Sequence, residues 1–247
     1  MISFIIPAYN EAEYLGDTLD AVHEAMRGIE VPYEVVVAND ASTDDTAQLA
    51  ASRGARVVDV AYRQIAATRN AGARAARGQY FVFIDADTRV NHALLRAMLE
   101  ALRRGAVGGG AHSLFDSAPL YGRLLLAFVM MTLRWANWAA GCFLYCTREA
   151  YEAAHGFDEA YFGAEEVSLS RGLKQQGRFV ILKQAVVTSG RKLRQYSGWQ
   201  FFKLSMRLLS RGPNAVKHRE GMGFWYEQRQ GAPAERAASD RPPAAPR

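Results

Sequence analysis

The sequence is poor in the groups that build metal clusters and disulfides. Its 247 residues include two cysteines, Cys142 and Cys146, and five histidines. The cysteines stand four apart, without Cys-x-x-Cys spacing and without a neighbouring His–Cys cluster. That speaks against a zinc site or a disulfide and for structural thiols in a reducing compartment. His23, His92, His112, His155 and His218 are scattered, and no pair has metal-ligand spacing. Long uncharged apolar runs are also missing. Leu120 to Tyr145 is strongly apolar but carries Arg123 and Arg134, and a charge near mid-bilayer costs roughly 2.5–3.5 kcal/mol. A buried or interfacial helix is expected there, not a membrane span. Gly105 to Gly110 reads as a flexible stretch, because it lacks the strand–GxGxxG–helix order of a dinucleotide site. No basic run interleaves with a nucleic-acid-binding motif, so no nucleic-acid partner is expected. No signal peptide is expected either, since Ile2 to Pro7 begins directly as a strand.

What is present is a chain with 49% apolar residues, enough for a substantial core, and a net charge of +5 that suits an anionic ligand or an anionic membrane surface. Strands and helices alternate from residue 3 to residue 104. Ser3 to Ile6 reads as a strand broken at Pro7-Ala8-Tyr9-Asn10. Glu11 to Arg27 follows as a helix, with Leu15, Leu19, Val22 and Met26 at helical spacing. Glu34 to Ala38 and Arg56 to Val60 are further strands. The turn Asn39 to Thr46 opens a helix, with Ser42 or Thr43 as its cap. Gln64 to Arg77 is an alanine-rich helix with Gly78 as its C′ residue. This alternation implies βαβ units and a largely parallel sheet. Later, Gly163 to Gln176 reads as a helix and Phe179 to Val187 as a strand.

The fourth strand leads into the stretch that organises the rest, Phe81-Val82-Phe83-Ile84-Asp85-Ala86-Asp87-Thr88. Four apolar residues form a buried strand and two carboxylates follow at its end. Ligands of open α/β sheets gather beyond the carboxyl ends of the strands. Two hard oxygen donors there suit Mg²⁺ or Mn²⁺ together with a substrate's phosphates. An Asp-rich turn without a ligand is the plainer alternative. The stretch also superficially fits phosphoryl chemistry of the haloacid-dehalogenase kind. That class's Asp-x-Asp normally opens the catalytic domain, whereas three strands precede it here.

Taken together, five ordered motifs resemble family 2 glycosyltransferases of the GT-A fold. They are Pro7-Ala8-Tyr9-Asn10-Glu11, Asn39-Asp40-Ala41-Ser42-Thr43-Asp44-Asp45-Thr46, Arg69-Asn70-x-Gly72, Asp85-Ala86-Asp87, and Gly156-Phe157-Asp158-Glu159 followed by Glu165-Glu166. The resemblance covers roughly residues 2 to 192. Asn39 and Ala41 stand where the family has Asp and Gly, His155 where a second Gly is common, and Glu166 where its Glu-Asp pair has Asp.

The resemblance implies an inverting, metal-dependent glycosyltransferase that uses a nucleotide-diphosphate sugar, with UDP favoured. The fold implied is a GT-A α/β fold with a mostly parallel central sheet flanked by helices and a helical C-terminal extension. Residues 1–230 would form one domain, divided into a nucleotide-binding half at 1–104, an acceptor-side half at 105–196 and an extension at 197–230. Residues 231–247 would be a disordered tail. Pro7, Ala8, Tyr9, Glu11, Asp40, Arg69, Asp85, Ala86, Glu165 and Arg191 are expected to bind substrate. Asp40 would accept from the base and Arg191, with Lys192, would face the diphosphate. Asp87 is expected to hold Mn²⁺ or Mg²⁺, with His218 as a further candidate ligand, and Glu166 to act as general base. Trp135, Trp138 and Trp199 suit an acceptor sugar, a membrane interface or the core. Lys203, Arg207 and Arg211 share one face of a helix from Ser197 to Arg211, which suits peripheral association with a membrane from the cytoplasmic side or docking on the core. The acceptor is left open. A haloacid-dehalogenase-like phosphatase and a non-catalytic nucleotide-sugar-binding protein are the rival functions.

Overall fold

Val35-Val36-Val37 and Phe81-Val82-Phe83-Ile84 are apolar on both faces, as strands covered by helices on both sides must be. In the computed structural model, which describes residues 1–115, 142–161 and 165–189, they lie in interior strands of a mixed sheet. The chain runs β1 (Ile2–Ala8), α1 (Ala12–Met26), β2 (Tyr33–Asp40), α2 (Thr46–Ser52), β3 (Arg56–Val60), α3 (Ile65–Ala75) and β4 (Tyr80–Ile84). It continues through β5 (Thr88–Arg89), α4 (His92–Arg103), β6 (Ala106–Phe115), β7 (Phe143–Thr147), α5 (Arg148–Ala153), α6 (Glu165–Gln176) and β8 (Arg178–Thr188). The strand order is β3-β2-β1-β4-β7-β6-β8-β5. The first four strands in that order are parallel. β7 runs antiparallel to β4 and β6, β6 is parallel to β8, and β5 closes the edge antiparallel to β8.

Alternation along β1 and β2 divides the core in two. Phe4, Ile6, Val35 and Val37 pack with Leu15, Leu19, Leu94 and Met98 of α1 and α4. Ile5, Val36, Phe81 and Phe83 pack on the other face with α3, Tyr151, Phe157, Leu169 and Leu173. There Phe83 lies edge-on to Phe157 at 4.9 Å and stacks on Tyr151 at 5.5 Å. Burying such side chains stabilises by about 1.5–3 kcal/mol each. Alanines and Gly72 let α3 come close to the sheet: a Cβ on Gly72 would stand 2.6 Å from Ile5 Cγ2. That approach brings the polar residues of α3 to the carboxyl ends of the strands.

The sequence-based boundaries hold within about two residues for most elements, with five corrections. β1 does not break at Pro7. It continues to Ala8, because Pro7 lies past Ile5, the last β1 residue paired with β4, where a missing donor is tolerated. Ser42 and Thr43 do not cap α2, which begins at Thr46 after Asp45. Gly78 is not a left-handed C′ residue. α3 ends at Ala75, and Gly78 is needed because a Cβ there would meet Ser3 and the Met1 carbonyl within 3 Å. Gly105 to Gly110 is not a flexible loop, since from Ala106 it is β6, and a Cβ on Gly109 would clash with the Val180 carbonyl oxygen. Phe143 to Tyr145, expected in a helix, are strand β7. The remainder of that apolar run, residues 116–141, lies outside the described residues.

Candidate functional site

The Asp85-Ala86-Asp87 turn leaves β4 at the carboxyl edge of the sheet. Thr88 N–H donates to the Asp85 carbonyl at 3.1 Å and closes the turn. Thr18 of α1, fully buried, donates to the Ala86 carbonyl at 2.8 Å. From the other side, Ser189 N–H donates to the Asp87 carbonyl, and Thr188 Oγ1 donates to Asp87 Oδ1 at 3.3 Å. The turn is thus held by α1 and the end of β8, while both carboxylates stay partly exposed. Ala86 is buried and presents backbone only.

Behind the turn lies Arg69, 1% exposed. Its Nη2 donates to Asp85 Oδ1 at 2.8 Å. Its Nη1 donates to Glu165 Oε1 at 2.5 Å and to Glu166 Oε1 at 2.9 Å. The ring of Phe157 lies 5.3 Å from its guanidinium carbon. Burial works against the Arg69 charge, yet Glu166, Glu165 and Asp85 outweigh it and hold the guanidinium above its ordinary pKa. This residue is not a solvated helix cation, since its guanidinium is buried among three acids. It joins the Asp-x-Asp turn to the Glu-Glu pair. Glu165, expected to touch substrate, is 2% exposed and sits beneath its neighbour. Burial first, then the charge of Glu166, push its carboxyl up to about 8 against the pull of Arg69.

The two loops at the nucleotide end are bound to each other. Asn10 N–H donates to Ser42 Oγ, Thr43 N–H to Asn10 Oδ1 and Glu11 N–H to Thr46 Oγ1, at 2.7–3.0 Å. Asp44 accepts from Ala12 and Thr46. These bonds explain why Ser42 and Thr43 do not cap α2. Pro7 and Ala8 pair with Ala38 and Asn39 and form the floor. The Tyr9 ring lies 3.5 Å from the Arg63 guanidinium carbon. Glu11 precedes α1 as its N-cap residue without a side-chain cap bond. Asp40 is 5% exposed, and its carboxylate accepts from Arg63 N–H, Gln64 N–H and Thr68 Oγ1 at 2.8–3.2 Å. It organises the start of α3. Asn39, where the family resemblance has Asp, donates from Nδ2 to Asp59 Oδ1 at 2.7 Å.

Sequence reasoning gave no role to two residues that hold the site together. Gln64 caps α3 through Ala67 N–H and donates from Nε2 to the carbonyls of Glu159 and Tyr161, both at 2.9 Å. Asn70 uses its whole amide. It accepts from Tyr151 Oη and Phe157 N–H and donates to the Phe157 carbonyl and Glu159 Oε1. The signal for Asn70 was its place in Arg69-Asn70-x-Gly72. Nothing local marks Gln64, whose partners lie 95 and 97 residues away. A cleft of about 710 Å³ lies behind this loop, lined by Asn70, Arg74, Tyr151, His155 and Ser168 among others, away from the Asp-x-Asp turn. Two departures from the family pattern fall at left-handed backbone, Ala41 (φ 55) and His155 (φ 60), where glycine is the unstrained choice.

Cys142 and Cys146 are buried, and neither forms a disulfide. Cys142 Sγ lies 2.6 Å from Ser113 Oγ, and burial, then the charge of Asp85, push its thiol up to about 12. Among the described residues no group of three His, Cys, Asp or Glu forms a closed metal cluster, and no helix is long and apolar enough to cross a membrane. Arg191, Lys192, His218, Trp135, Trp138, Trp199, the 197–211 helix and the 231–247 tail lie outside the described residues.

The protein-family model for glycosyl transferase family 2 matches residues 3–157. The glycosyltransferase EpsJ of Bacillus subtilis is 30% identical over 105 residues, which is 40% of this chain and 30% of EpsJ. Among solved structures, the mannosyltransferase PcManGT from Pyrobaculum calidifontis, in complex with GDP-Man and Mn²⁺, matches 83% of this chain and 60% of its own, at TM-score 0.62 and 22% identity. The glucosyl-3-phosphoglycerate synthase of Mycobacterium tuberculosis, in complex with Mn²⁺, UDP and glucosyl-3-phosphoglycerate, matches 87% of this chain and 80% of its own, at TM-score 0.58 and 20% identity. The fold is that of GT-A glycosyltransferases. The matched stretch spans less than a third of EpsJ's length.

Proposed function

This chain belongs to glycosyl transferase family 2, and on that premise we propose that it moves a sugar from a nucleotide-diphosphate donor to an acceptor hydroxyl by inverting displacement. The observation that carries the reading is Arg69, one buried guanidinium within 2.9 Å of carboxylates from the Asp-x-Asp turn and from the Glu-Glu pair. It fixes a donor-side acid and an acceptor-side acid in one rigid unit, as a direct displacement requires.

The roles follow from exposure and partners. The nucleotide lies against the Tyr9–Glu11 and Asp40 loops, with UDP the favoured base carrier. Asp85, already paired with Arg69, orients the sugar or ribose. Glu166, more exposed than Glu165, takes the acceptor hydroxyl proton. Arg191 serves the leaving diphosphate.

Asp87 is the residue that would hold Mn²⁺ or Mg²⁺. The fit rests on chemistry: a partly exposed carboxylate at a strand end, beside a second one, offers hard oxygens, and such ions need only one or two protein carboxylates beside phosphates and water. When bound, the ion neutralises charge on the leaving diphosphate. A phosphatase of the haloacid-dehalogenase kind needs a free nucleophilic Asp, whereas Asp85 is engaged by Arg69.

The acceptor and any attachment to the cytoplasmic face of a membrane rest on residues beyond those described. The test is a screen of UDP-, GDP- and dTDP-sugars with Mn²⁺, following binding, hydrolysis and the anomeric configuration of the product by NMR. Release of nucleotide with an inverted product is expected. Tight donor binding without turnover across diverse acceptors would favour a non-catalytic sugar-nucleotide binder instead.

A further inference from the structure

Three carboxylates share one guanidinium at Arg69. The side chain of Asp85 is 31% exposed, that of Glu166 14% and that of Glu165 3%, around an Arg69 side chain that is 1% exposed. If all three acids were ionised, the cluster would hold two uncompensated negative charges with little water to screen them, a costly arrangement. Glu165 and Glu166 also compete for the same nitrogen, Nη1. The cheapest place to store a proton is the acid furthest from water. That acid is Glu165, and burial with the neighbouring Glu166 charge raises its carboxyl accordingly. Among the described residues, the ionisable groups set around it are Arg69 from α3, Asp85 beyond β4 through the same guanidinium, and Glu166 from its own turn.

We propose that Glu165 is a positioning residue that keeps its proton at neutral pH, leaving the Arg69 charge to Asp85 and Glu166 while its own hydroxyl donates to the Glu166 carboxylate. This deepens, and rests on, the reading of Glu166 as the base. With Glu165 neutral, one guanidinium answers two carboxylates, and Glu166 is fixed by two donors from one side. When Glu165 ionises, it draws Nη1 toward itself and Glu166 loses a donor. Turnover is then expected to decline as pH rises through the range in which Glu165 loses its proton, near about 8. The linkage has a definite sign. The unfolded carboxyl titrates near about 4.3, so between there and the raised folded value the native state holds the extra proton. The contribution of Glu165 to stability therefore falls as pH rises across that window.

The experiment compares wild type with Glu165→Gln and Glu166→Gln by infrared spectroscopy and thermal unfolding across about pH 5 to 9. The wild type at neutral pH should show the carbonyl band of a protonated carboxyl, absent from Glu165→Gln; in Glu166→Gln, which removes the neighbouring charge that helps raise Glu165, the band should disappear at a lower pH than in wild type. The melting temperature of Glu165→Gln should gain on wild type as pH rises, since Gln mimics the protonated acid at every pH. Donor hydrolysis in Glu165→Gln should lack the alkaline decline expected of wild type. The proposal is overturned if wild type lacks the band at neutral pH, or if Glu165→Gln loses ground to wild type as pH rises, the mark of an ionised Glu165 paired with Arg69. Should Glu165→Gln not fold, the wild-type band and its loss on raising the pH decide alone. The spectroscopic and thermal readouts do not use turnover, so failure of the transferase reading would show separately, as Glu166→Gln with full transfer or as no transfer at all.

Discussion

Asp85 and Glu166 are held by two nitrogens of one guanidinium, Arg69 Nη2 at 2.8 Å and Nη1 at 2.9 Å. The two acids are 81 residues apart in sequence and come from opposite sides of the proposed reaction. Arg69 fixes their separation from a helix that itself lies tight on the sheet through Gly72 and Ile5.

Arg69→Ala leaves three carboxylates facing one another in a buried space. Removing one partner of a buried ion pair costs about 3–5 kcal/mol, and the chain should lose stability on that scale in urea unfolding. Arg69→Lys should recover only part of it, because an ammonium cannot present the fork that reaches Asp85 and both glutamates together. A loss under about 1 kcal/mol for Arg69→Ala would mean that the cluster is open to water and that Arg69 is not its centre.

Ala41→Gly should stabilise the fold slightly. A non-glycine residue in the left-handed region costs about 1–2 kcal/mol, and glycine returns roughly 0.4–1 kcal/mol of that through unfolded-state entropy. The net gain centres on about 0.8 kcal/mol, a rise of about 2–3 °C in Tm for a chain of this size. The backbone at φ 55 is the reason. Scanning calorimetry showing a lower Tm for the variant would point to an Ala41 side-chain contact that outweighs the strain.

Much of this was legible from residue types alone. Apolar runs such as Phe81 to Ile84 and Val35 to Val37 can only be interior strands, and the turns after them carry the acids, so the first half of the sheet and the position of Asp85 and Asp87 follow from pattern. What was hidden depends on contacts across the fold. β6 reads as a glycine-rich loop, because its glycines are there to admit the Val180 backbone and the Tyr145 ring, not to bend. Gln64 looks like an ordinary helix start, and Arg69 like a solvated helix cation. Their partners at Glu159, Tyr161, Glu165 and Glu166 lie nearly a hundred residues away, where no local spacing can reveal them. Glu165 and Glu166 look alike in sequence, and only burial separates them, at 3% against 14% exposed side chains.

Asp87→Ala should abolish the gain in UDP affinity that Mn²⁺ provides while leaving the fold intact. The turn is held mainly through backbone carbonyls, Ala86 by Thr18 and Asp87 by Ser189, so losing one partly exposed carboxylate does little to its shape. Calorimetric titration of UDP with and without Mn²⁺ measures the gain directly. An unchanged gain in the variant would move the metal to Asp85 or to residues beyond those described.

Glu166→Gln should keep donor binding and lose most transfer. Glutamine retains the carbonyl oxygen that can accept from Arg69 Nη1 but cannot take a proton from an acceptor hydroxyl. Positioned general-base assistance is worth about 10²–10⁴-fold, which is about 3–5 kcal/mol at the barrier, and kcat should fall by that factor. Binding of UDP and Mn²⁺ should change little, since the proposed contacts are in the Tyr9–Glu11 and Asp40 loops and at Asp85 and Asp87. The comparison that decides the assignment is with Glu165→Gln, a substitution in the same first turn of α6 at the acid proposed to be already neutral. Glu165 is buried at 2% exposure, so the two variants should part company in kcat. If Glu165→Gln is the one that loses transfer at all pH values, the proton passes through the buried acid and the exposed one only shapes the entrance. If both keep full transfer, the Glu-Glu pair is structural, and the displacement takes its base from elsewhere in the chain.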